Sequence, residues 1–238
     1  IPTRFVATKL GFDYEWNKNS STVNIQKSYS IKYSSDYTEK PIEVPLFADV
    51  KTDDIRIEDR YYEGKVAVYI PGNHVSKYKN NAIINRYSSI TGIDLALNAA
   101  NETVLIFDVS KILACTAEVK GKTLYLSFQN PRDVYSKIVV IDPGHGGYDP
   151  GAIREKVNES DLNLSIAYEY TKDLFDASDI KVYYTRVNDT FISLNDRAAF
   201  AAKVGADFFV SIHQNTFTTD AKKGISVYYS SDNKNVGS

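Results

Sequence analysis

The sequence predicts a small all-β sandwich domain followed by an α/β domain, a mostly parallel sheet flanked by helices. Three observations carry this. In the first half, short alternating apolar runs end in turn residues, as where Val66, Val68 and Ile70 lead into Pro71-Gly72. From about Ile138 the pattern becomes strand, helix, strand, helix, strand, which builds a sheet with parallel neighbours. Asn130-Pro131-Arg132-Asp133 stands between the two patterns as a turn-rich boundary.

Taken in order, Pro2 to Leu10 can form a short helix that Gly11 stops. Phe12 to Trp16 and Thr22 to Ile25 read as two strands around the polar turn Asn17-Lys18-Asn19-Ser20. The polar stretch from Ser28 to Pro45 reads as a linker. Leu95 and Leu97 alternate, Val104 to Val109 reads as a buried strand, and Val119-Lys120-Gly121-Lys122 is a hairpin turn into Leu124, Leu126 and Phe128. Several short strands punctuated in this way predict the small sandwich.

Beyond the boundary, Ile138 to Ile141 is continuously apolar, as a strand covered on both faces should be. Leu162, Ile166, Tyr170 and Leu174 recur every four residues and predict a helix over Glu159 to Phe175. Lys181 to Arg186 is the second strand. Ser193-Leu194-Asn195-Asp196 has a capping-box pattern and opens a helix over Arg197 to Lys203, which Gly205 ends. Phe208 to Ile212 and Ile225 to Tyr229 complete the predicted strands.

Bulk properties exclude several classes. A net charge of −2 over 238 residues gives no electrostatic basis for nucleic-acid binding. No apolar run approaches the roughly 20 residues of a membrane-spanning helix. The single cysteine, Cys115, rules out an internal disulfide and, beside Ile112-Leu113-Ala114, reads as a small buried hydrophobe. With Ile1 at its start and no methionine, the chain reads as a processed product or a fragment.

The chemistry concentrates on two of the three histidines, His145 and His213. His145 lies in Asp142-Pro143-Gly144-His145-Gly146-Gly147, just past the carboxyl end of the first α/β strand. His213 ends the third. Sites in open α/β sheets gather at that edge, so the two imidazoles could converge there. Glu159, at the start of the first helix, faces the same edge. Two histidines, one carboxylate and an open fourth position form a common catalytic zinc arrangement. Individually, each residue also has a plainer reading: loop histidine, core histidine, or a carboxylate complementing a helix dipole. His74 reads as a turn residue.

Four ordered blocks then carry a family resemblance. They are Ile141 to Gly147 with Asp149-Pro150-Gly151-Ala152; Asn158-Glu159 with Leu162-Asn163-Leu164; Thr185-Arg186 with Asp189, Leu194 and Arg197; and Ala206-Asp207 with Phe209, Ser211-Ile212-His213, Asn215 and Gly224. This segment resembles the type-3, zinc-dependent N-acetylmuramoyl-L-alanine amidases. The resemblance implies zinc bound by His145, Glu159 and His213. It also implies hydrolysis of the amide between N-acetylmuramic acid and L-alanine in peptidoglycan. Arg186 and Arg197 are candidate contacts to substrate carboxylates, or else a salt-bridged strand-to-helix tie; Asn215 is a candidate groove residue. Ala202 stands where the family usually has asparagine. The family's second, proton-handling glutamate is expected beyond Ser238, so no catalytic residue is assigned within the chain.

The expected organisation is therefore threefold. Residues 1–34 are expected to be the remnant of an N-terminal helix-hairpin domain, whose run from Pro2 to Ile25 resembles the end of a copper-amine-oxidase N-terminal-like domain, with no copper implied because the segment has no histidine. Residues 35–134 resemble an AMIN wall-targeting domain. Residues 135–238 form the amidase domain, expected to be C-terminally truncated. The expected partner is peptidoglycan and the expected location is outside a bacterial cell, in the wall or periplasm. A non-catalytic zinc-binding homologue that binds wall or regulates a partner is the alternative, and a zinc peptidase of similar architecture a third reading.

Overall fold

A computed structural model describes residues 6–7, 12–18, 20–27, 29–176, 178–214 and 224–229. Val6 and Ala7 are helical; the rest of the helix predicted over Pro2 to Leu10 lies outside the described residues. Strands β1 (Phe12–Asn17) and β2 (Thr22–Lys27) pair antiparallel across the predicted turn.

The stretch expected to be a linker is instead structural. It contains β3 (Ile31–Tyr33) and β4 (Ile42–Pro45). Ile42 and Val44 are fully buried while Glu43 between them is exposed, so the short alternation inside a polar segment was enough to make a two-faced strand.

The remaining strands of this lobe are β5 (Arg56–Arg60), β6 (Lys65–Pro71), β7 (Ile83–Asn85), β8 (Ile90–Leu97), β9 (Glu102–Val109), β10 (Ala114–Lys120) and β11 (Thr123–Gln129). They make an antiparallel sheet in the order β5-β6-β9-β8 and another in the order β10-β11-β4, while β3 pairs parallel with β7. Val68, Leu105 and Phe107 of the first sheet share one core with Val44, Leu124 and Leu126 of the second. Cys115 lies in that core, where burial pushes its thiol pKa up.

A single helical turn, α1 (Pro131–Val134), leads to the α/β lobe. Its central strand, β12 (Ile138–Pro143), is followed by a small hairpin of β13 (Ile153–Arg154) and β14 (Val157–Asn158). The predicted long helix is broken into α2 (Glu159–Leu164), a π-turn over Ser165–Glu169 and α3 (Lys172–Asp176). Its buried side is small and polar (Ser160, Asn163, Ala167), whereas Leu162, Ile166, Tyr170 and Leu174 are exposed. The apolar stripe identified a helix correctly but not the face that packs on the sheet.

Then come β15 (Lys181–Tyr184), α4 (Leu194–Val204) and β16 (Phe208–Ile212). The Ser193 hydroxyl accepts a hydrogen bond from the Asp196 N–H, and Gly205 closes α4, as the capping pattern predicted. β15 and β16 flank β12, both parallel to it. The strand expected over Ile225 to Tyr229 does not form: these residues pair with no strand among those described, and their side chains are exposed. Alternation alone does not make a strand without a ladder partner for its backbone.

The lobes meet at the edge of β15 that faces away from β12. The Tyr61 hydroxyl donates to the Tyr184 carbonyl at 3.1 Å and accepts the Tyr184 N–H at 2.8 Å. Its ring packs edge-on against Tyr183 with centroids 5.0 Å apart, and Asp59 pairs with Lys181 at 2.8 Å. Burial raises the Tyr61 pKa, so the neutral hydroxyl is the form held here.

Tyr61→Phe should keep the fold and cost about 1–2 kcal/mol in urea unfolding. In hydrogen exchange the Tyr184 amide should lose protection while the Val140 amide does not. Unchanged protection of Tyr184 would mean that the hydroxyl does not hold this edge.

Candidate metal centre

The carboxyl end of β12 organises the site. Asp142, the first polar residue of an otherwise apolar strand, is buried and accepts hydrogen bonds from the Thr185 and Ser211 hydroxyls and from Arg197. Thr185 directly follows β15 and Ser211 lies in β16, so one carboxylate ties the ends of all three strands to α4. Past Pro143 the chain turns sharply, and His145 adopts φ 60°. That left-handed conformation is uncommon for a residue with a side chain, although histidine is among those that tolerate it.

Arg186 and Arg197 hold this turn. The sequence left open contact with substrate carboxylates or wall polymer and a strand-to-helix salt bridge; in the structure the two arginines are only 3% and 4% exposed. Arg186 donates to the carbonyls of Pro143, Gly144, Ser160 and Asn188, at 2.8 to 3.1 Å. Arg197 pairs with Asp142 and donates to the carbonyls of Pro143, His145 and Ile192. Burial, and then the adjacent Arg197 charge, lower the Arg186 pKa. Both guanidiniums are turned inward, so the strand-to-helix tie describes Arg197 and a backbone clamp describes Arg186.

His145, Glu159 and His213 converge, with one potential ligand atom from each lying within 4.8 Å of the others. Glu159 Oε1 is 3.3 Å from His145 Nε2 and 3.0 Å from His213 Nδ1. It also accepts the Gln214 N–H at 2.8 Å, while Oε2 accepts the Ala152 N–H at 2.9 Å. Burial raises the Glu159 pKa, but hydrogen bonds from the Ala152 and Gln214 amides and from His213 outweigh it, and the net shift is downward. Glu159 is therefore a carboxylate at neutral pH. Gly151 makes the pocket possible: a Cβ there would lie 2.6 Å from the His145 ring and 2.8 Å from Glu159.

Two further residues complete the site, and neither was assigned a role from sequence. Asp149 Oδ2 lies 2.8 Å from His145 Nδ1, and that hydrogen bond lowers the Asp149 pKa. A proton held on Nδ1 leaves the Nε2 lone pair facing Glu159 and His213, the arrangement that orients metal-binding histidines. Asn163, fully buried, donates to the Gly144 carbonyl at 3.2 Å. The signal for Asp149 was present: an acid four residues after a histidine in a glycine-rich loop. Asn163 had no such signal, because only the packing of α2 brings it beneath Gly144.

The donor set suits a divalent metal ion of intermediate softness: two imidazoles, one ionised carboxylate, an aspartate partner on the far nitrogen of His145 and a glycine that keeps the space clear. His74 does not join it. It is buried in the β lobe with Nε2 2.9 Å from the Pro71 carbonyl, beyond what its reading as a turn residue implied. Asn215, the remaining candidate, lies outside the described residues.

Comparison with known proteins agrees with this segment. Residues 139–237 match the family model described as N-acetylmuramoyl-L-alanine amidase. The chain is 44% identical over 92 residues to the amidase AmiC of Escherichia coli, covering 38% of this chain and 22% of AmiC. It is 41% identical over 101 residues to the amidase LytC of Bacillus subtilis, covering 42% of this chain and 20% of LytC. The catalytic domain of the amidase CwlV from Bacillus (Paenibacillus) polymyxa is 39% identical, with coverage of 36% and 49% and a TM-score of 0.35. The chain thus spans only about a fifth of the length of these curated relatives.

If these three side chains hold a divalent ion such as zinc, Asp149→Asn should weaken its binding by roughly 10- to 100-fold, the usual effect of losing a partner that orients a ligand. Competition with a chromophoric chelator measures this. Affinity equal to that of the unaltered chain would show that Asp149 does not set the His145 tautomer.

Proposed function

We propose that this protein is a zinc-dependent N-acetylmuramoyl-L-alanine amidase acting on bacterial peptidoglycan. One observation carries the reading: His145, Glu159 and His213 come together at the carboxyl end of a parallel sheet, inside the segment matching the amidase family model. In this reading those three side chains hold zinc. The β lobe, taken from about Tyr29 because β3 pairs with β7, serves as an AMIN-like wall-targeting domain, the residues before it belong to a preceding domain, and the protein works in the wall or periplasm.

Each residue then has a physical task. Asp149 keeps the proton on His145 Nδ1, so that Nε2 offers a lone pair. Glu159 contributes negative charge, held ionised by two backbone amides. Arg186, Arg197 and Asn163 fix the Pro143–His145 backbone, which sets where the imidazole stands. Zinc bound there would supply Lewis-acid polarisation of the scissile carbonyl and an activated water. Preorganisation of this kind matters because a displacement of about 1 Å at a reacting centre can cost on the order of 10²-fold in rate.

Two measurements test the reading. The folded chain should carry about one zinc per molecule; His145→Ala should lose it and His74→Ala should keep it. Incubated with purified sacculi, the protein should release stem peptides with a free L-alanine amino terminus and leave free peptides of the same sequence intact. Equal zinc loss in both variants would remove the metal assignment, and cleavage of the free peptides would replace the amidase with a peptidase.

A further inference from the structure

We propose that Tyr148, backed by Phe191, forms a stacking subsite for the pyranose ring of an N-acetylated amino sugar beside the candidate metal centre. The inference rests on the amidase reading and assigns the sugar side of that substrate to a particular surface.

Tyr148 is 80% exposed, an unusual setting for so large a ring, and it is not loose. Gly146 and Asp149 bond to each other in both directions, N–H to C=O, at 2.8 and 3.2 Å. Gly147 and Tyr148 form the tip of this tight turn. One face of the Tyr148 ring is stacked on Phe191, with centroids 4.2 Å apart and planes 27° apart. The other face is open to solvent.

The backbone beneath the pair is also fixed. The Gly147 N–H donates to Asp189 Oδ1 at 2.7 Å. A Cβ on Gly147 would lie 2.8 Å from the Phe191 backbone nitrogen, so only glycine lets the two loops approach this closely. A ring held in this way presents a flat apolar face with little conformational entropy left to lose on binding.

The location selects the ligand. Three Cα steps, at most about 11 Å of chain, separate Tyr148 from His145, and the turn shortens that distance. The neighbouring residue, Asp149, bonds the His145 ring. A group stacked on Tyr148 thus sits on the same tight loop that carries His145. The stem peptide carries carboxylates, but the two arginines of this site are buried and committed to backbone carbonyls and Asp142. The rim at Tyr148 is aromatic, and Leu194, three residues past Phe191, is 82% exposed. A pyranose ring has an apolar C–H face that suits the open π-face and polar edges that stay hydrated.

The test is titration of the zinc-loaded full chain with tri-N-acetylchitotriose, followed by NMR or calorimetry. Tyr148→Leu should weaken binding roughly five- to tenfold, and Tyr148→Phe should bind within about twofold of the original, because the face carries the contact. Phe191→Ala should weaken binding by removing the backing. Zinc content, unchanged in Tyr148→Leu, shows that the centre is intact. An unaltered chain that binds no chitotriose, or a leucine variant that binds as well as the original, overturns the proposal. So does a phenylalanine variant as weak as the leucine one. Failure to release stem peptides from sacculi counts against the amidase reading alone, since the binding comparison does not depend on turnover.

Discussion

The site depends on the buried contact between Asp142 and Arg197. Asp142 gathers the ends of the three parallel strands through Thr185, Ser211 and its own position on β12. Arg197 carries the same anchor from α4 to the His145 carbonyl. A buried ion pair of this kind is weak evidence for stability, since a well-packed apolar pair often does as well. Its value here is geometric. With either partner removed, the other would be left buried and charged, at a cost of about 3–5 kcal/mol, and the turn bearing His145 would lose its tether.

The same logic explains the concentration of polar groups in so small a volume. Arg186 satisfies two carbonyls of the turn, those of Pro143 and Gly144, and ties them to the carbonyls of Ser160 and Asn188 in neighbouring segments, and Asn163 adds a bond to Gly144. Buried carbonyls without partners would each be costly, so a sharp turn at a sheet edge needs donors brought from elsewhere in the chain. Long, multiply donating side chains meet that need from α4 and from the loop after β15. Their burial is the price of holding the backbone at His145, and it turns both guanidiniums away from solvent.

The β lobe joins this framework through an edge rather than through the site. Among the described residues β15 has a strand neighbour, β12, on one side only, and Tyr61 occupies the other with one hydroxyl acting as both donor and acceptor. Tyr61, Ile112 and Tyr135 also pack against the Ile138, Val140 and Tyr183 cluster, so the two lobes share apolar surface. A strand edge covered in this way is protected from pairing with another chain.

Local pattern in the sequence was enough to identify most of the strands, the helices of the α/β lobe, the caps of α4, and three side chains, His145, Glu159 and His213, that come together. Those features depend on near neighbours: an alternation, a capping hydroxyl, a histidine ending a strand. The sequence alone could not show which face of the α2 region packs inward. Its four-residue stripe marks a helix, but tight approach to the sheet selected the small side, Ala167 and Asn163. Nor could it tell that Ile42 and Val44 close a sheet, that residues 225–229 have no ladder partner, or that Arg186 and Arg197 point inward. Each of these depends on what stands opposite a residue in space. Only the tertiary structure supplies that, because burial and hydrogen bonding are settled between segments far apart in the chain.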